Sequence, residues 1–360
     1  TISVALIIST IIIYQQVNHV KNRDLGYNND GLVYTQMQGN LRQHFDVVKN
    51  QLLATGLVKN ACISRNRILQ LGSNSGGFNW QGKDQSKDVL ITIESVSPEY
   101  INTMGMQLKE GRDFNPDIKT DSSNVIINEA LAKIMNQKNI VGSVISYGDQ
   151  KFTVKGVIKD FVYNNMYGTS APLALFSDTS NINTLSIRYK KGANLQTALS
   201  KTEAIIKQAN PGYPFEYSFV DQEFDKLFKT ETLIGKLAGV FAVLAILISS
   251  LGLFGLSAYT AERRTREIGI RKVLGATEQG LAALLSKDFL VLVAISCLIS
   301  FPLAWFAMNS FLRDYAYRIT INPLVFIAAG LLAVVIALLT VSYQAIKAAW
   351  ANPIKSLRSE

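Results

Sequence analysis

Histidine and cysteine are nearly missing from this chain, at two of each in 360 residues. Two cysteines cannot build a disulfide scaffold, and a chain with so few of either residue is not a Cys/His-rich zinc module. Cys62 falls in a soluble-looking region and Cys297 in an apolar run, so both read as small buried hydrophobes that do not pair. His19 and His44 read as surface residues without a ligand role. There is no Gly-x-Ser-x-Gly elbow and no His-Glu-x-x-His. The flexible-looking loop Gly72-Ser73-Asn74-Ser75-Gly76-Gly77 has no Lys-Ser or Lys-Thr at P-loop spacing. Asp221, Glu223 and Asp225 fit a solvated helix start. These absences argue against an enzyme with an external active site. Lys and Arg number 36 against 27 acidic residues, yet they form no stripe in the soluble part, which excludes a nucleic-acid partner.

Charge is missing from three long runs: Leu237 to Tyr259, Phe289 to Leu312 and Leu324 to Ile346. The hydrocarbon core of a bilayer is about 30 Å thick and needs roughly 20 apolar residues to cross. Each run meets that length. The shorter run Ile2 to Val17 has no basic region before it, so it reads as a spanning helix cut at its cytoplasmic end, and the chain as a fragment. Mean hydropathy is only +0.16; the distribution of apolar residues, not their fraction, carries this reading. The spans hold no ionisable residue, so a polar solute pathway through them has little support. Pro302 offers a kink, and Ser249, Ser250, Gly252 and Gly255 give a small-residue face suited to helix packing.

Basic residues orient the spans. Arg263, Arg264, Arg266, Arg271, Lys272 and Lys287 crowd the loop after the second run, whereas the next loop has only Arg313 and Arg318. The expected order is therefore a helix at 1–17, an extracytoplasmic domain at 18–232 and a second span at 237–260. A cytoplasmic loop at 261–288, a span at 289–312, a short outer loop at 313–322, a span at 323–346 and a cytoplasmic tail at 347–360 complete it. From Asn18 to Thr232 there are 24 basic and 21 acidic residues, a net of +3, and the remainder has 12 and 6, a net of +6. Part of the excess charge thus flanks the membrane and faces anionic lipid.

The outer part reads as α+β. Leu32–Met37 alternates as a strand, Leu41–Ala54 has helical spacing, and Ala61–Ser64 is the return strand. Strand Thr184–Tyr189, helix Leu195–Ala209 and strand Phe215–Val220 repeat that order. Two β-α-β units suggest a split layer at 30–78 and 180–225 with helices on one sheet face. A lobe is inserted at 79–172, with strands at Val89–Ser95 and Lys151–Ile158 and helical stretches at Pro98–Met104 and Asn128–Asn136.

The densest signal is Ala261 to Thr277, AERRTREIGIRKVLGAT. Glu262 with Arg266, and Glu267 with Arg271, are favourably oriented i, i+4 pairs. Ile270, Val273 and Leu274 form an apolar strip, and Gly275 is a helix stop. The residues leave two readings open: interfacial adhesion with positive-inside topology, or a helix that docks into a partner's groove.

This segment resembles the cytoplasmic signature of FtsX-like, MacB-like ABC transporter permeases. It matches at Glu262, Arg263, Arg264, Glu267, Ile268, Gly269, Ile270, Arg271, Lys272, Leu274, Gly275 and Ala276. The ending Asn352-Pro353-Ile354-Lys355-Ser356-Leu357-Arg358 is similar to the family's C-terminal pattern. Glu110-Gly111-Arg112-Asp113-Phe114, Asn128-Glu129-Ala130 and Gly156-Val157-Ile158-Lys159-Asp160-Phe161 resemble its periplasmic core. The resemblance implies four transmembrane helices with a large extracytoplasmic α+β domain. It implies a non-catalytic subunit with no cofactor of its own, ATP and Mg being bound by a cytoplasmic ABC ATPase dimer. A second permease module (the N-terminal half of the same protein or a homodimer mate), membrane lipid and a periplasmic partner complete the implied set. The matched residues from Glu262 to Ala276 would contact the ATPase. Service in export, antimicrobial-peptide resistance or envelope processes is left open, and a membrane-anchored sensor or scaffold is the alternative.

Overall fold

The computed structural model describes residues 1–115, 117, 119–264, 267, 270, 271, 274 and 277–349. The chain divides into two compact units, Asn22–Leu227 and Thr1–Lys21 with Phe228–Glu360.

The second of these units is helical. Helix α1 (Ile2–Lys21), the long helix Lys229–Arg263, the helix Glu278–Arg313 and the helix Leu324–Ala349 make it up. All four contain stretches long and apolar enough to cross a membrane. The helices run past the uncharged segments read from sequence. Backbone hydrogen bonding continues into polar flanks, so α1 reaches Lys21 rather than Val17 and His19 lies within it. Pro302 sits inside an uninterrupted helix. Val4, Ile8, Ile12, Ala304, Met308 and Ala329 form the shared core. Gln16 is 2% exposed on α1. Its amide donates to the carbonyl of Tyr317 at 3.0 Å and accepts from the N–H of Ile319 at 2.9 Å. A side-chain amide thereby pairs with the backbone of the short outer loop as a strand would, and the His19 ring stacks on Tyr317 at 4.5 Å.

The other unit is built on one mixed sheet of twelve strands among the described residues. In chain order they are β1 (Leu32–Gln36), β2 (Val58–Ser64), β3 (Asn74–Ser75), β4 (Phe78–Trp80), β5 (Ile91–Val96), β6 (Leu108–Gly111), β7 (Asn124–Asn128), β8 (Val144–Tyr147), β9 (Gln150–Ile158), β10 (Leu173–Ser177), β11 (Thr184–Tyr189) and β12 (Tyr217–Phe219). Its helices are α2 (Phe45–Ala54), α3 (Tyr100–Met104), α4 (Glu129–Met135), α5 (Leu195–Ala209) and α6 (Val220–Lys226). The three long helices that follow in the chain are α7, α8 and α9.

The order β12-β1-β11-β2 is that of a split β-α-β layer. Every neighbouring pair in it is antiparallel. The lobe adds β5-β10-β7-β9-β8-β4, joined at the single pair Ser64↔Val96. Split layer and lobe therefore share one sheet.

Two expectations are corrected. Helix α2 begins at Phe45, with 41–44 in turn conformation. The glycine-rich loop contains β3, which pairs with β5. A third correction concerns the sheet faces. All six residues of β11 are buried. Leu185, Ile187 and Tyr189 join the core under α2 and α5. The alternate residue Arg188 donates to the carbonyl of Thr103 on α3. Since successive side chains point to opposite faces, α3 covers the face away from α2 and α5, and helices lie on both sides.

Candidate functional site

The sequence-matched cytoplasmic segment begins on the last turn of α7. Glu262 and Arg263 are exposed there, and the Arg263 guanidinium lies 5.3 Å from the centre of the Tyr259 ring, a contact worth about 0.5–1 kcal/mol when exposed. Arg264 closes the helix, its N–H returning to the carbonyl of Thr260 at 3.1 Å. Its Nη1 lies 3.1 Å from Oδ2 of Asp288 on α8. Both side chains are partly exposed, so the pair fixes geometry more than stability, at about 0–1 kcal/mol. Asp288 was not singled out from sequence; a lone acid beside Lys287 at the far end of a basic loop was the available signal.

Glu267, Ile270 and Arg271 are helical and exposed. The N–H of Leu274 bonds to the carbonyl of Ile270 at 3.1 Å, so these two residues stand one helical turn apart. Ile270 is 53% exposed and Leu274 81%. Two large apolar side chains are therefore presented to solvent between charged neighbours. Thr277 caps α8, accepting from the N–H of Gly280. Ile268, Gly269, Lys272, Gly275 and Ala276, and the C-terminal motif from Asn352, lie outside the described residues.

In the sheet unit, the three motifs that are separate in sequence meet. Gly111 of β6 pairs with Gly156 of β9. A Cβ on Gly111 would sit 2.0 Å from the Lys155 carbonyl oxygen, at φ +76°, and one on Gly156 would sit 2.6 Å from that of Arg112. Only glycine permits this approach. Asn128 caps α4 through its Oδ1, which accepts from Leu131 and Leu173, while its amide donates to Asp160 Oδ1 at 2.9 Å and to the Ala171 carbonyl. Every bond of a fully buried amide is thus satisfied. Asp160 also accepts from the N–H of Ala130, and its own N–H donates to Glu129. Burial raises the Asp160 carboxyl above the usual range. Hydrogen bonding from Lys109 holds Glu129 below it.

The chain leaving α1 is fastened to the same region. Gly26 has φ +78°, and a Cβ there would lie 2.4 Å from the Asp160 carbonyl oxygen. The Val162 N–H donates to the Leu25 carbonyl at 2.9 Å. Arg188, 5% exposed, directs all its bonded nitrogens at backbone carbonyls, those of Thr103, Asp30 and Asn28. Sequence reading did not find Arg188, which looks there like one more strand residue. These interactions hold backbone in place. They do not assemble a nucleophile with a base, and no group of three or more His, Cys, Asp or Glu able to hold a metal occurs among the described residues. Cys62 is fully buried, which pushes its thiol up to about 12.

Comparison with known proteins follows this division. A family model described as the MacB-like periplasmic core domain matches residues 1–205, more than half of the 360. A second, described as FtsX-like permease C-terminal, matches residues 239–353. The chain belongs to the MacB/FtsX-like permease family of ABC transporters. Its similar relatives include the macrolide export ATP-binding/permease protein MacB of Salmonella typhi, 26% identical over 59% of this chain and 34% of that protein. The protein of the same description from Escherichia coli K12 is 24% identical over 76% of this chain and 44% of its own length. The chain spans less than half the length of these curated relatives. The periplasmic region of MacB from Actinobacillus actinomycetemcomitans, as a solved structure, is 14% identical and superposes with a TM-score of 0.40, covering 58% of this chain and 98% of that one. Membership makes this MacB/FtsX-like permease an inner-membrane protein whose α+β unit is extracytoplasmic. The family's permease component is non-catalytic.

Proposed function

We propose that this permease couples ATP hydrolysis by a cytoplasmic ATPase dimer to mechanical motion of its extracytoplasmic domain. ATP and Mg belong to that partner, and a second permease module completes the membrane part. The observation that carries the reading is the exposure of Ile270 and Leu274, one turn apart and flanked by Glu267 and Arg271. An apolar pair framed by charge suits a protein groove, where a few buried anchors supply most of the affinity. The relatives' name, which joins ATP binding to a permease, supports the same pairing. The spans hold no charged pathway, which favours transmission of motion over passage of a polar solute. On this reading the ends of the coupling segment are set by the Arg264–Asp288 pair and the Thr277 cap.

The test is co-purification of the full-length permease with the ATPase encoded beside it. Ile270→Asp and Leu274→Asp each weaken association by at least about tenfold while the permease remains folded, because both side chains are exposed. Association unchanged in both variants rejects the docking role.

A further inference from the structure

A groove of about 600 Å³ runs between α1 and the start of α7. Ile11, Ile13, Tyr14 and Val17 line one part; Lys21, Glu231 and Lys236 line the other. The groove straddles a polarity boundary. The apolar run of α1 ends at Val17, and the uncharged run of α7 begins at Leu237. This is the extracytoplasmic end of both helices, so the apolar part lies at acyl depth and the charged part at headgroup depth. Gly235 lies on the groove floor, where an added Cβ would meet Ile13 Cγ2 at 3.5 Å. Glu231 Oε2 is enclosed and has no hydrogen-bond partner. Glu231 thus adds to the lining an acid whose Oε2 takes no hydrogen bond from the chain.

We infer that this groove binds an aminophospholipid of the outer leaflet, with its ammonium on Glu231 and its phosphate between Lys21 and Lys236. One zwitterionic headgroup then sets its ammonium against the acid and its phosphate against the lysines, of which Lys21 also lies 5.6 Å from the centre of the Phe228 ring. A primary ammonium carries three N–H donors. A choline head carries none, and a glycerol head has no cation. Phosphatidylethanolamine fits all three features of the lining: the apolar slot, the two lysines and the acid. The inference requires the four-span topology but not the ATPase coupling, so the two fail separately.

The full chain is reconstituted in nanodiscs with equal phosphatidylethanolamine, phosphatidylcholine and phosphatidylglycerol of matched acyl chains. Lipids retained on release are then counted by native mass spectrometry. The expected result is retention of phosphatidylethanolamine over phosphatidylcholine by about tenfold, the scale of a charge-assisted hydrogen bond. Glu231→Gln removes most of that preference. Gly235→Leu, which fills the floor, lowers retention of all three lipids. Lys236→Gln, an exposed change that spares the fold, weakens the phosphate contact all three lipids share and leaves the preference for phosphatidylethanolamine over phosphatidylcholine in place. Equal retention of the three lipids overturns the inference, as does a preference that survives Glu231→Gln. Efficient disulfide crosslinking of a Tyr14→Cys variant to a second copy also overturns it, because the groove is then a protein interface.

Discussion

Nη2 of Arg188 donates a 2.6 Å hydrogen bond to the carbonyl oxygen of Asn28. Its Nη1 reaches Asp30 and its Nε reaches Thr103, both at 2.7 Å. One buried guanidinium thereby joins β11, α3 and the segment that follows the first span. Burial lowers its affinity for a proton, yet these three acceptors are all neutral carbonyls. An ammonium cannot reach three carbonyls arranged for a planar fork. Arg188→Lys is therefore expected to destabilise the extracytoplasmic unit by about 2 kcal/mol. Hydrogen exchange of the full chain checks this: protection should fall at residues 28–31 before it falls in β9. Unchanged protection there contradicts the clamp.

A second expectation concerns acid. Asp121 accepts from Arg112 through both nitrogens, at 2.8 and 2.6 Å, and from Asn115 and Asn124. The Arg112 bonds foremost hold its carboxyl down to about 2 from an ordinary 3.8. A depressed carboxyl adds stability above the unfolded value, and this is lost as pH falls through the folded one. The contribution is about 1–2 kcal/mol, discounted because Arg112 is partly exposed. Asp121→Asn should unfold at lower temperature than wild type at neutral pH, with the gap closing from about pH 4 to about pH 2. A gap that is independent of pH contradicts this assignment.

Glu94 has the opposite sign. It is fully buried, and burial raises its carboxyl from 4.5 to about 7 despite hydrogen bonds from the Asn66 backbone and side chain. The folded state holds the proton more tightly than the unfolded state. Stability is complete below about pH 4.5 and declines as pH rises through about 7. Glu94→Gln keeps an acceptor for the Asn66 N–H and removes the charge. It should be more stable than wild type at about pH 8, by about 1–2 kcal/mol, and nearly equal at about pH 5. Thermal midpoints across that range decide it, and parallel curves count against it.

Much of the architecture could be read before the structure was known. Helix α5 matches its sequence-read bounds, Leu195–Ala209, because both ends are local: Asn194 caps the start through the Thr197 N–H, and Asn210-Pro211-Gly212 stops it. The spans are equally local, being runs of composition. Strands β7 and β10 were not recognised. β7 is buried at all five residues, so it shows no alternation. It is a strand because it lies between β9 and β10, a relation set by chain far away in sequence. The meeting of Asn128 with Asp160, and of Arg264 with Asp288, escapes sequence reading for the same reason. The motif residues were legible, whereas their partners depend on tertiary packing.

The central claim is that the cytoplasmic segment passes ATP-driven motion to the extracytoplasmic domain. The most direct measurement places spectroscopic labels on the extracytoplasmic domains of the two permease modules in the assembled complex. Their separation is compared with ATP and with ADP, for wild type and for the charge reversal Glu267→Lys with Arg271→Glu. Both side chains are exposed, so the fold is unaffected. The account predicts a nucleotide-dependent change of separation in wild type and its loss in the reversed protein, while the ATPase still turns over. A change of the same size in both proteins would contradict it.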